Sequence, residues 1–146
     1  MIFVVRAKSI EHIQEEQNVL ADKINKLVDF LPKIPIGNKE LFPYGWRNSA
    51  KGRTVWRIVE EVINQNLEKH ANKLGFESIK PAESEIEVFD FKCKITKKQQ
   101  AFINIKSAVA GSKQNNKDDI SKAKGLIDFI QQNPDKTFYI VTFHID

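Results

Sequence analysis

The sequence predicts an α/β protein in which helices flank a mixed β-sheet. Three observations lead there. Three stretches repeat apolar residues at helical spacing, two shorter ones alternate apolar and polar residues around a polar turn, and a last one is almost continuously apolar. Along the chain the order is helix, long loop, helix, hairpin, helix, strand.

Residues 2–5 suit a short strand or the entry to the first helix. From Ser9, a good N-cap, Ile10, Ile13, Leu20, Ile24, Leu27, Val28 and Leu31 recur at helical spacing until Pro32 stops the helix. Glu11, Glu15 and Glu16 stand near its positive end. Residues 32–52 hold three of the five prolines and three of the six glycines, so a long irregular connection is expected. In it Tyr44 and Trp46 stand beside Arg47, Lys51 and Arg53. Those aromatics either plug the loop onto the core or face a nucleic acid, stacking on bases while the cations meet phosphate.

The second helix places Val55, Ile58, Val59, Val62, Ile63, Leu67, Ala71 and Leu74 on one stripe and ends at Gly75. Glu60 falls roughly 90° from the stripe's centre and Glu61 roughly opposite it. Glu60 therefore borders the buried face, and Glu61 points to water. His70 lies within the stripe as a packed residue. Residues 76–84 read as a connection to an alternating strand over 85–95, in which Ile86, Val88 and Asp90 share one face. A turn over 96–100 leads to Ala101–Ala108, with Phe102, Asn104 and Lys106 on one face and Ala101, Ile103, Ile105 and Ser107 on the other. Asp118 or Asp119 is the expected cap of a third helix, which Asn133-Pro134 ends. The final strand, Lys136–Ile145, reads as buried on both faces.

The 146 residues fit one domain with a real core, and 41% apolar with 29% charged residues is an ordinary globular balance. No run of 18 apolar residues is present, so no membrane span is expected. A lone Cys93 and the lack of a secretory pattern point to a reducing, cytoplasmic setting. The net charge of +4 permits a polyanionic partner. Cations gather at residues 46–53, 92–98 and 112–117, which makes Arg47, Lys51, Arg53, Lys113 and Lys117 candidate phosphate contacts. One cysteine and the scattered His12, His70 and His144 give no zinc spacing, and no glycine-rich phosphate loop appears.

Asp90 and Lys106 then need a reason, because an acid and a lysine set among apolar residues are costly without partners. An ion pair is one. A divalent cation held by the acid, with the lysine beside an attacking water, is the other. Simple hairpin register does not by itself bring the two together; a bend or bulge is required.

Asp90, the intervening residues 91–103, then Asn104-Ile105-Lys106 resembles the signature of the PD-(D/E)xK nuclease superfamily, to which restriction endonucleases belong. The match runs from about Gly52 to Ile145. The resemblance implies a restriction-endonuclease-like core over 53–146, after an N-terminal helix and long loop over 1–52. It also implies a glutamate on the preceding helix, for which Glu60 stands in the right place. The implied activity is Mg²⁺-dependent hydrolysis of double-stranded DNA of the type II restriction kind, by a homodimer with one site per strand. Asp90, Asn104 and Glu60 would hold the metal, and Lys106 would act on the water. Loops 43–53 and 108–117 would face DNA. Two departures stand out. Asn104 occupies a position where an acid is expected, and Phe89 rather than proline precedes Asp90. Asn104 marks an active variant, an engineered inactivation or a non-catalytic relative. An alternative register uses Asp90-Phe91-Lys92, with Glu83, Glu85 or Glu87 upstream. The chain stops directly after a core strand, and further residues beyond it are expected.

Overall fold

The structure, a computed structural model, describes residues 10–96, 100–109 and 116–145. Expectations placed on residues 2–5, the Ser9 cap, the middle of the 96–100 turn and Lys113 lie outside them. Helix α1 spans Ile10–Phe30. A short helix α2 (Asn48–Ala50) and a π-helical turn (Lys51–Val55) lead directly into α3 (Trp56–Lys69). Four strands follow, β1 (Ser78–Pro81), β2 (Phe91–Lys94), β3 (Gln100–Val109) and β4 (Thr137–Ile145), with α4 (Asn116–Gln132) between the last two. The sheet order is β1-β2-β3-β4, antiparallel except for the parallel β3–β4 pair. A helical crossover is what a parallel neighbour requires.

Two layers of side chains hold the sheet. On the first face, Phe91, Cys93, Ala101, Ile103 and Ile105 meet Leu20, Ile24 and Leu27 of α1 and Ile63 and Leu67 of α3 in one buried cluster. Burial pushes the Cys93 thiol up to about 12, so it is a core residue and not a nucleophile. Glu16 is buried in the same region, where the Tyr139 hydroxyl donates to its Oε1 at 2.9 Å. On the second face Phe102 meets Phe129 of α4 edge to face, centroids 4.8 Å apart, with Phe89 and Phe138 beside them.

Gly75 was expected to end the second helix, but α3 stops at Lys69 and Gly75, at φ 79, closes the turn that follows it. Phe76 N–H donates to Ala71 O and Gly75 N–H to Asn72 O, the paired closure that a left-handed residue at this position permits. Lys23 of α1 also donates to the Leu74 carbonyl at 3.3 Å, tying α1 to the turn after α3. His70 packs against Phe30, as a stripe residue should.

Four other expectations need correction. Residues 76–84 are not all connection, because Ser78–Pro81 forms β1. That strand is too short to show alternation and, with Lys80 and Pro81, has the make-up of an edge strand. The strand expected over 85–95 is regular only from Phe91. Residues 82–90 form the β1–β2 connection, closed by Ala82 N–H donating to Asp90 O at 2.8 Å. Alternation there has no strand to pair with, and Ile86 is 90% exposed. β4 is an edge strand of the described sheet, with Ile140 57% exposed, because only β3 lies beside it. α4 starts at Asn116, which puts Asp118 and Asp119 in its first turn and not before it. No described helix is long and apolar enough to cross a membrane.

Candidate active site

β2 starts only at Phe91, opposite Ile103, while β3 runs on past that point to Val109. Beyond Ile103 no described strand covers the side of β3 that β2 covered, and its backbone groups need other partners. Two carboxylates supply them. Asp90 Oδ2 accepts the Ile105 N–H at 2.5 Å, and Glu60 Oε1 accepts the Ser107 N–H at 2.9 Å. Ile105 and Ser107 are two apart, so their amides point to the same side of the strand. The Ser107 hydroxyl donates to Glu60 Oε1 as well, at 3.0 Å.

The chain brings these acids in from different directions. Asp90 arrives at the end of the 82–90 loop. Its own N–H donates to Ile103 O at 2.8 Å although Phe91 is the residue paired with Ile103. Two residues thus address one, which is the bulge the hairpin needed to turn an acid towards β3. Glu60 arrives from α3, whose apolar stripe is anchored by buried Ile63 and Leu67.

Burial pushes the Glu60 carboxyl above its ordinary value; the Ser107 bonds and the Lys106 charge pull it back down, and the Asp90 charge adds to the push. All three charged groups therefore share one electrostatic neighbourhood. A raised value means that the fold favours the protonated form. Stability from this group is fully present below the unfolded value of about 4.3 and is lost as pH rises through the folded one. Glu60→Gln keeps an acceptor for Ser107 and removes the buried charge. It is expected to raise the urea midpoint at pH 8 and to leave it near wild type at pH 4. A midpoint lowered at pH 8 would show that the charge stabilises the fold.

Asn104 and Lys106 lie on the Phe102 face, the α4 side, whereas Ser107 and Glu60 meet on the α3 side. Lys106 is exposed and Asn104 half-buried. The Asn104 amide donates from Nδ2 to Val88 O at 3.1 Å, which fixes which end is oxygen, and its Oδ1 is buried with no hydrogen-bond partner. Such an orphan acceptor suits a water or a cation. Among the described residues no group of three or more His, Cys, Asp or Glu is placed to hold a metal. Asp90, Glu60 and Asn104 carry oxygen donors, the hard type that Mg²⁺ takes, with Asn104 on the opposite face of β3 from Glu60.

Arg47 and Arg53 are exposed and Lys51 half-buried, in the loop and π-turn that precede α3. Lys117 lies in the first turn of α4. Trp46 plugs the loop: its Nε1 donates to Ile36 O at 2.9 Å, and its ring stacks on Phe42. Tyr44 does not. Sequence reasoning overlooked Ser107, whose two bonds to Glu60 join α3 to β3. Alternation placed it on the α3 face, but nothing in the sequence named its partner. It also overlooked a cleft of about 350 Å³ beside Asp90, bordered by Glu61, Glu68, Glu85 and Glu87.

Set against protein-family models, curated proteins and solved structures, the chain matches none of them. Its function is therefore inferred from the chemistry of the site alone.

Proposed function

We propose that this protein is a Mg²⁺-dependent DNA endonuclease with a restriction-endonuclease-like core. The observation that carries the reading is the pair of carboxylates from different elements, Asp90 and Glu60, bound to successive outward amides of one edge of β3 near Lys106. The element order α3-β1-β2-β3-α4-β4, three antiparallel strands and a helical crossover to a parallel fourth, also supports it.

Asp90 and Glu60 each keep an oxygen that the amide bonds do not use, and Asn104 Oδ1 offers a neutral one from the other face of β3. These residues would hold Mg²⁺, which when bound polarises the scissile phosphate and makes water more acidic. The lysine orients the attacking water from the exposed side of β3 and offsets charge on the phosphoryl oxygens. The water oxygen bonds to phosphorus, the phosphorus–oxygen bond to the leaving nucleotide breaks, and that oxygen takes up a proton. Cutting both strands calls for two such sites, hence a homodimer. The deciding assay is cleavage of supercoiled plasmid with Mg²⁺ and without it.

A second reading, a DNA-binding relative that has lost the chemistry, is favoured by Asn104 alone. Asn104→Asp separates the two. Metal affinity rises in either case, but nicking is retained or enhanced only in a competent enzyme. A variant that binds Mg²⁺ more tightly and still leaves plasmid intact would favour the second reading.

A further inference from the structure

The 36–47 loop is the most deliberately built irregular segment of the described chain, and what it builds is the display of one ring. Tyr44 is 89% exposed. It occupies the third position of the turn Phe42-Pro43-Tyr44-Gly45, closed by Gly45 N–H donating to Phe42 O at 2.9 Å, with proline at the second position where its fixed φ fits. Gly45 follows at φ 69. Beneath the turn, the Phe42 and Trp46 rings stack with centroids 4.5 Å apart. Asn38 receives the Phe42 N–H at its carbonyl and the Leu41 N–H at its side chain, both at 2.9 Å. Gly37 lies so close under Phe42 that a Cβ there would sit 2.6 Å from the ring. An aromatic stack, glycines and turn bonds thus hold an apolar ring out in water, where burial cannot reward it.

Charge indicates what the ring meets. A concavity of about 300 Å³ runs from Tyr44 past Trp46 to Arg47. Arg47 leads into α2: its carbonyl accepts the Ala50 and Lys51 amides. Arg53 follows in the π-turn and precedes Glu60 by about two helical turns, or roughly 10 Å of rise. An exposed π-face beside a guanidinium group is the chemistry that receives an unstacked base and its neighbouring phosphate. An acidic partner without rings would satisfy the cations and leave the tyrosine unused.

We infer that Tyr44 stacks on a nucleobase while Arg47 and Arg53 hold the flanking phosphates, so that the 36–47 loop anchors the nucleic acid beside the Asp90–Glu60 site. The inference rests on the nuclease reading and adds to it a specific contact away from the reacting atoms.

The test is anisotropy of a fluorescein-labelled DNA duplex with a single-stranded overhang, whose bases have free faces, titrated with the protein, with Ca²⁺ in place of Mg²⁺, over a range of salt concentrations. Tyr44→Ala is expected to weaken binding about 5- to 100-fold, as the loss of one base–aromatic stack does, with the salt slope unchanged. Tyr44→Phe is expected to bind like wild type. Arg47→Ala should instead flatten the slope by about one. A Tyr44→Ala protein with wild-type circular dichroism and wild-type affinity would overturn the inference and leave the nuclease reading standing. Equal loss in Tyr44→Phe would overturn it too, by assigning the contact to the hydroxyl. No binding of DNA by the wild-type chain would remove both, and would point to a protein partner for the loop.

Discussion

Lys106→Ala is expected to lower Mg²⁺-dependent plasmid cleavage by about 10²–10⁴-fold, the usual contribution of a group that positions or deprotonates a nucleophile. The side chain is exposed at the end of β3, so its loss should leave the fold intact. Asp90 calls for a more careful substitution. Its Oδ2 accepts the Ile105 N–H, and Asp90→Ala would leave that amide without a partner, at a cost of about 1–3 kcal/mol. Asp90→Asn keeps an acceptor for the amide and removes the negative charge a metal requires. It should lose cleavage to a similar extent while its urea midpoint stays near wild type. Cleavage that survives in both Lys106→Ala and Asp90→Asn would remove the site from the chemistry.

Leu67→Ala is expected to destabilise the protein by about 2–5 kcal/mol, a large share of the roughly 5–15 kcal/mol that holds a domain of this size. Leu67 is 0% exposed and lies on the stripe of α3 that carries Glu60 to the sheet. Removing its branched end leaves a void in the cluster that also holds Leu20, Leu27 and Phe91, whose positions are fixed by two other elements and cannot all collapse inward. Urea unfolding should show a lower midpoint at an unchanged slope. Leu67→Met, which nearly conserves volume, should cost under about 1.5 kcal/mol. Ile86→Ala, at a position 90% exposed, should move stability by less than about 0.5 kcal/mol. Equal effects at Leu67 and Ile86 would contradict a core centred on α1, α3 and the first face of the sheet.

Both predictions turn on how far local patterns reach. The helix over Ile10–Phe30 and the stripe of α3 were legible because side-chain spacing decides which face of a helix is buried before any neighbour is known. Gly75 was legible for a similar reason: few residues but glycine adopt its backbone angle cheaply. β1 was not, because four residues with a proline carry no periodicity, and their strand character comes from pairing with β2. Alternation misled over 85–90, where the pattern is present and a partner strand is absent. The apolar run of β4 misled in the opposite sense, since composition cannot tell an edge strand from a central one.

For the candidate site, residue types and spacing supplied the cast: an acid at 90, an amide and a lysine two apart at 104 and 106, and a glutamate at the border of a helix stripe. Folding alone brings Glu60 to Ser107 across 47 positions of chain, and turns Asp90 towards β3 just before β2 begins. Those outcomes belong to the edge of β3 beyond Ile103, whose amides must be satisfied by whatever the fold brings near. Residue types and spacing are local properties. Which backbone groups are left without a neighbour is known only once every strand has found its place.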